Sequence, residues 1–222
     1  SCQLVCTREV SQKYYTMLYY YCVIQNIIKH KKVVVQSFHA LDTILVGALM
    51  FVGYLVMQDI NSNFVHEIGH TSGTIAAIFF ILTLLPGIAR RFNIQHGIFT
   101  ILMLFRRQTG TTMFLFGLLH YSSLRLFPLL FAGVPLDLSP PVFEILGFFA
   151  LYSLIPLYIT SNDYSVKKLG KWWRRVHSIA YISVWLIFTH VALQEFEGVA
   201  IVLGLTAILE VASLIYHRRP SA

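Results

Sequence analysis

Long apolar stretches separated by short polar breaks organise the whole chain. An α-helix needs about 20 mainly apolar residues to cross the hydrocarbon core of a bilayer. Six stretches reach that length, and the breaks between them carry charged residues or Pro-Gly and Pro-Pro pairs. The pattern predicts an all-α bundle of six transmembrane helices, at residues 38–57, 70–89, 108–131, 141–160, 172–193 and 198–217.

Two segments do not fit the six spans. Residues 92–107, FNIQHGIFTILMLFRR, are apolar but too short to cross and have arginines on both sides, so they predict an interfacial or re-entrant helix. Residues 1–35 form a tyrosine-rich extension that predicts an interfacial helix, with a seventh crossing as the alternative. We therefore divide the chain into this extension and a membrane domain over 36–217.

Composition supports the same class of protein. Apolar residues make up 56% of the 222 residues and charged residues only 12%, whereas soluble domains carry about 25% charged residues. Six spans leave no room for a soluble catalytic domain. Membrane lipid is thus the expected surrounding of the chain.

The net charge of +7 is distributed asymmetrically. Lys and Arg cluster before the first predicted span, between the second and third, between the fourth and fifth, and after the sixth, while acids occupy the alternate loops. Cytoplasmic loops of membrane proteins carry this excess of basic residues. The pattern predicts that both termini lie on the inner side, and it excludes a nucleic-acid-binding face.

Three histidines lie within the predicted spans, where polar side chains are costly and mark functional sites. His120 is deep in the third span, and the fifth span carries His177 and His190. The last two, thirteen residues apart, are separated by about 20 Å along an ideal helix and by roughly 140° in direction. Spans three and five run the same way, so His120 and His190 share the outer half. Two imidazoles on facing helices predict bis-histidine ligation of an iron porphyrin; helix packing is the alternative.

The predicted inner layer has one good ligand, His177. Arg106 lies fourteen residues before His120 and therefore at the depth of His177. An arginine does not ligate iron, but its guanidinium can bind a haem propionate or a flavin phosphate. The candidates for a second inner ligand are His39 and His96.

Other residues complete the expected outer layer. Arg125 either binds an outer propionate or extends to the membrane surface, and we expect His66 and His70 in an outer loop. Three small residues would let a flat macrocycle approach the helix backbones: Gly110, Gly117 and Ala180.

The segments FRRQTGTTMFLFGLLHYSSL (105–124) and TSNDYSVKKLGKWWRRVHSIAYISVWLIFTH (160–190) resemble the ferric reductase-like transmembrane domain. Within it they are most similar to haem-b membrane subunits of the MsrQ type, from bacterial methionine sulfoxide reductase systems. The resemblance covers about 65–217. It implies six helices around one or two b-type haems, with both termini inside.

The resemblance also implies residue roles. His120 and His190 match the outer-haem ligands, and His177 matches the inner-layer ligand. Arg106 stands where NADPH oxidases and ferric reductases have a fourth histidine, which leaves the occupancy of the inner site open.

The implied function is electron transfer across a membrane by a subunit of an oxidoreductase rather than a complete enzyme. The sequence has no FAD and NADPH domain, so the donor would be a separate reductase, a bound FMN, or quinol. The acceptor would be an outer-side redox protein such as a methionine sulfoxide reductase. Two alternatives are a transmembrane module of a metal or oxygen reductase, and an accessory subunit of a larger respiratory or photosynthetic complex. The expected location is a bacterial inner membrane, with an organellar inner membrane as the alternative.

Overall fold

Helices form nearly all of the described chain. The computed structural model describes residues 25, 29–59, 62–135, 139–194, 196 and 198–217, so most of the predicted 1–35 extension and the C-terminal residues 218–222 lie outside the described residues. The helices of the described part are α1 Lys31–Met57, α2 Ser62–Arg91, α3 Gly97–Phe131, α4 Val142–Ile159, α5 Asp163–Leu169, α6 Lys171–Gln194 and α7 Gly198–His217.

Six of these helices, all except the short α5, are long and apolar enough to cross a membrane. The prediction of an all-α membrane protein with six spans is therefore confirmed. Large apolar side chains point outward from the helices; Met50 is 73% and Leu205 55% exposed. Because helices satisfy their own backbone hydrogen bonds, such surfaces are stable in lipid.

The prediction of a separate interfacial helix over 92–107 is wrong. A turn at 92–96 reverses the chain, and α3 then runs for 35 residues from Gly97. The arginine pair lies within this helix, and the guanidinium of Arg107 donates to the carboxylate of Asp163 over 2.7 Å. That hydrogen bond lowers the pKa of Asp163, which lies outside the spans. In the sequence, the adjacent arginines Arg106 and Arg107 therefore resembled the end of a helix, although they lie inside one.

The bundle is built on the long antiparallel pair α2 and α3. Helix α4 packs mainly on α6, α7 packs on α2 and α6, and α1 packs on α3. The core between them contains Phe80, Leu84, Val184 and Leu203, each at most 2% exposed. A polar contact also fixes α1, because the Thr112 hydroxyl donates to Asp42 over 2.6 Å. Helices α2, α3, α4 and α6 consequently surround a common interior.

Helix α3 widens for one turn after His120. Residues Ser122–Leu126 form a π-helical turn, and the Phe127 amide donates to the Ser122 carbonyl five residues back. Pro128 has no N–H and its ring clashes with the carbonyl four residues earlier, which favours this wider turn. Single π turns often occur at functional sites. Here the turn sets the direction in which Arg125 leaves the helix.

Candidate cofactor-binding site

His120 of α3 and His190 of α6 lie together in the interior. Their ring centroids are 6.1 Å apart with an interplanar angle of 76°. Both rings line a cavity of about 280 Å³ to which five helices contribute. The sequence predicted the two residues at one depth, and the fold brings their rings together in an edge-on arrangement.

Backbone carbonyls orient both rings. Nδ1 of His120 is 2.7 Å from the Gly69 carbonyl oxygen, and Nδ1 of His190 is 2.6 Å from the Phe143 carbonyl oxygen. A carbonyl oxygen can only accept, so each Nδ1 carries the proton and each Nε2 keeps its lone pair. This is the arrangement that prepares a histidine for iron, since a second hydrogen bond fixes the tautomer and raises basicity.

Glycines on the neighbouring helices make room for the rings. A Cβ atom on Gly73 of α2 would lie 2.6 Å from Nδ1 of His120, and one on Gly147 of α4 would lie 2.7 Å from the His190 ring. A Cβ atom essentially never approaches another heavy atom of a folded protein within 3.0 Å in this way. Only glycine therefore fits at these two positions without moving a histidine.

The small residues expected from the sequence are only partly at the cavity. Gly117 lines it. Gly110 instead faces Thr83 of α2, and Ala180 is buried in the core. The close approach is made by Gly73 of α2 and Gly147 of α4, on helices that hold neither His120 nor His190.

The cavity fits an iron porphyrin. Two imidazoles that each hold a metal at about 2 Å place their ring centroids roughly 6 Å apart, which agrees with the observed 6.1 Å. Small residues from three helices leave space for a flat ring: Ala76, Ala77, Gly117 and Ala150. No group of three or more His, Cys, Asp or Glu that could hold a bare metal ion occurs among the residues that the structure describes.

An ion pair stands at the edge of the cavity. Arg125 and Glu144 both line the cavity, and the guanidinium of the arginine donates to the carboxylate of the glutamate. The sequence analysis had assigned Arg125 to a propionate or to the membrane surface and had not considered Glu144. This carboxylate lies in the first turn of α4, and only the fold shows that it meets the arginine.

The expectation that His66 and His70 lie in an outer loop is wrong. Helix α2 begins at Ser62, eight residues before the predicted start, so both histidines are helical. His70 also lines the cavity. The polar first turns of α2 concealed the helix from a reading based on apolar runs.

His177 has different surroundings from the other two histidines. Its Nε2 is 3.1 Å from the Thr160 hydroxyl, which itself donates to the Pro156 carbonyl over 2.6 Å. The hydroxyl has one proton and therefore accepts from His177, so Nε2 is the protonated nitrogen. Trp173 stacks on the same ring at 4.0 Å. Helix α6 is interrupted at residues 178–179, so the rotation expected for a continuous helix does not apply.

The remaining inner-layer candidates are spread over different elements. Arg106 is close enough to Tyr181, Glu210 and His177 to interact with each of them electrostatically. His39 is exposed on α1. His96 lies at the start of α3, where its Nδ1 accepts from the Ile98 amide over 3.4 Å. His39 and His96 therefore lie on elements other than α6, and each has surroundings different from those of His177.

A buried ionic network joins α2, α6 and α7 near Arg106. Arg91 donates to the Ser213 hydroxyl over 2.8 Å, to the Tyr181 hydroxyl over 3.3 Å and to the Glu210 carboxylate. Glu210 is 1% exposed, and its Oε2 has no hydrogen-bond partner within the described part of the chain. Sequence analysis missed the network, although a single acid in the last apolar span was the available signal.

Six apolar helices surround an interior cavity in which two histidines keep an Nε2 lone pair available for a metal. This arrangement defines a membrane-embedded cofactor-binding bundle. The sequence model of the family described as ferric reductase like transmembrane component matches residues 72–188, more than half of the chain. The chain belongs to this family.

Curated relatives give a finer comparison. Two of them are the protein-methionine-sulfoxide reductase heme-binding subunits MsrQ of Brucella ovis and Brucella anthropi, 32% and 30% identical over 117 residues. These alignments cover 52% of this chain and 51% of each relative. The chain thus spans about half the length of the curated relatives it matches. No solved structure matches it.

Proposed function

We propose that the protein is a transmembrane b-type cytochrome that transfers electrons as a subunit of an oxidoreductase. The observation that carries this proposal is the facing pair His120 and His190, each with Nδ1 bonded to a carbonyl and Nε2 left as a ligand. When bound between them, the haem supplies one-electron redox chemistry. The heme-binding names of the relatives point in the same direction.

The residues of this chain hold and tune that group. The carbonyls of Gly69 and Phe143 fix the ring orientations and raise the basicity of both ligands. Apolar and small side chains line most of the cavity, and a lining of this kind limits the access of water and thereby helps to set the redox potential. Arg125 offers its guanidinium to an outer propionate in competition with Glu144.

We infer a direction for the electrons from the charge pattern. The basic clusters belong on the inner side by the positive-inside rule, with both termini there. His120 and His190 then lie in the outer half. The donor is an inner-side flavin, quinol or reductase, and the acceptor is an outer-side redox protein. The relatives' names make a methionine sulfoxide reductase the leading candidate for that acceptor, and their bacterial origin favours a bacterial inner membrane.

The inner layer has a separate role in the proposal. His177 becomes a haem ligand only if its Nε2–H bond to Thr160 is broken or if Nδ1 binds the iron. Arg106 would hold a propionate or the phosphate of FMN there. Because the described structure offers one prepared histidine pair, we propose one haem per chain in the resting protein.

The direct test is a reduced-minus-oxidised spectrum and a pyridine haemochrome assay of the protein purified in mild detergent. We expect a b-type α-band and about one haem per chain. A folded protein without haem would contradict the proposal and favour an accessory subunit that lost the cofactor. Two haems per chain would refute the single-site assignment and support an occupied inner layer.

Replacing Gly147 with alanine should weaken haem binding. The added Cβ would lie 2.7 Å from the His190 ring, so the ring must move away from its ligand position. Changes in groups that orient a metal ligand typically weaken binding about 10- to 100-fold. Haem retained per chain during dilution in detergent measures the effect.

Gly110→Ala is the matched control for this prediction. Gly110 lies on α3 away from the cavity, and its added Cβ would meet only a Thr83 methyl at 3.8 Å, an ordinary contact. Equal haem retention in the two variants would show that the space beside His190 does not determine its position.

A further inference from the structure

A second pair of histidines lies on the outer turns of α2, outside the pair that faces across the cavity. His66 and His70 are one turn apart in the segment His66-Glu67-Ile68-Gly69-His70. Their ring centroids are 5.8 Å apart with an interplanar angle of 32°, and both residues are exposed. The assigned cofactor site uses neither ring as a ligand.

The spacing and geometry suit chelation of a metal ion. Residues four apart on a helix lie on one face, and two histidines at this spacing form the metal-binding half of a zinc site. Two imidazoles that bind one tetrahedral ion at about 2.0–2.1 Å would place their centroids roughly 5 Å apart. A small side-chain rotation closes the difference from 5.8 Å.

We propose that His66 and His70 bind a divalent transition-metal ion, such as Zn²⁺ or Cu²⁺, at the outer end of α2. Both rings offer imidazole nitrogens, ligands that suit these ions. Water completes the coordination, because no third His, Cys, Asp or Glu joins the pair among the described residues.

Two histidine ligands are too few for a catalytic zinc centre, although the segment has the spacing of one. Catalytic zinc sites use three protein ligands, and the described chain supplies two here. Glu67 adjoins His66 and leaves the helix in a direction about 100° away, not on the face shared by the pair. The segment therefore predicts an exchangeable binding site and not a metalloprotease centre.

An ion bound to His66 and His70 would lie next to the backbone that orients His120. Gly69, within the segment, accepts the Nδ1–H of His120, and His70 lines the cavity. An ion that bridges His66 and His70 would hold the turn that orients His120. Metal binding outside the membrane core would thus act on the adjacent cavity through one backbone carbonyl.

Calorimetric titration of the purified full chain with ZnCl₂ tests the proposal. All three cysteines (Cys2, Cys6 and Cys22) are replaced by serine so that no thiol competes. We expect one ion per chain, and at least tenfold weaker binding in both His66→Ala and His70→Ala. His217→Ala removes an exposed histidine at the end of α7 and is the control, with unchanged affinity.

Two results would overturn the site: no Zn²⁺ binding by the parent chain, or the same affinity in the His66→Ala variant. The titration is repeated on His190→Ala, where binding of one ion per chain is again expected. A chain that never binds haem but gives the expected isotherms contradicts the proposed function and leaves the metal site intact. The two proposals therefore fail separately.

Discussion

His190→Ala is expected to remove most of the haem, leaving at least tenfold less per chain than the unmodified protein. The imidazole supplies one of the two axial nitrogens, and α6 has no second histidine within one turn to replace it. Changes in groups that only orient a ligand already weaken metal binding by about 10- to 100-fold, so loss of the ligand should exceed that. The pyridine haemochrome assay, normalised to protein, gives the number.

The companion variants separate a ligand from a packing residue. His120→Ala should lose haem to the same extent, because the two rings act on one iron. His177→Ala should retain the haem held by the other pair, and the exposed His217 gives a neutral control. Circular dichroism confirms that each variant keeps its helices. Full haem in His190→Ala, or equal haem in the His120, His177 and His190 variants, would refute the ligand assignment.

The spans were predictable because hydrocarbon thickness imposes a minimum length on an apolar helix. Three of the predicted spans, the last three of the chain, agree with the observed helices to within one residue at both ends, as in Val142–Ile159. The segment 92–107 was misjudged for a physical reason. Two adjacent arginines look like a membrane boundary, while the partner of Arg107 is a carboxylate 56 residues away. A pairing over that distance is not visible in a local pattern.

The depth of the histidines in the membrane was predictable from the sequence. The hydrogen bonds that fix the tautomers of their rings were not. Counting residues along parallel helices places His120 and His190 in one layer. The carbonyls that fix their tautomers belong to Gly69 and Phe143, on other helices. These are backbone atoms, so no side-chain pattern marks them. The glycines beside the rings are likewise recognisable only after the helices are packed.

His177 shows the limit of helical projection. The sequence predicted a continuous span, in which a fixed rotation relates His177 to His190. The break at residues 178–179 ends that relation. Its ring instead stacks on Trp173 and bonds to Thr160. The aromatic and basic segment at the start of α6 thus contributes a residue, Trp173, that packs directly on the histidine.

Arg91→Met is expected to lower the free energy of unfolding by about 3–5 kcal/mol, the range for removing one partner of a buried ion pair. The change leaves the Glu210 carboxylate without the Arg91 guanidinium in an apolar interior, and it also breaks hydrogen bonds to Ser213 and Tyr181. Unfolding in a titration of SDS into mixed micelles, followed by circular dichroism, measures the loss. Arg90→Met is the matched control, because Arg90 is the exposed neighbour and should change stability by about 0.5 kcal/mol or less.

The stability of the double variant Arg91→Met/Glu210→Gln tests whether the ionic network is needed for folding. If the single change destabilises by stranding the carboxylate, removing that charge as well should restore most of the lost stability, since apolar or neutral replacements of a whole buried pair are often harmless. A double variant as unstable as Arg91→Met would contradict the stranded-charge explanation. Restored stability would mean that the pair is not retained for folding. Intramembrane charges are costly and usually functional, so the rate of haem reduction from the inner side would then be the property to compare between the double variant and the parent.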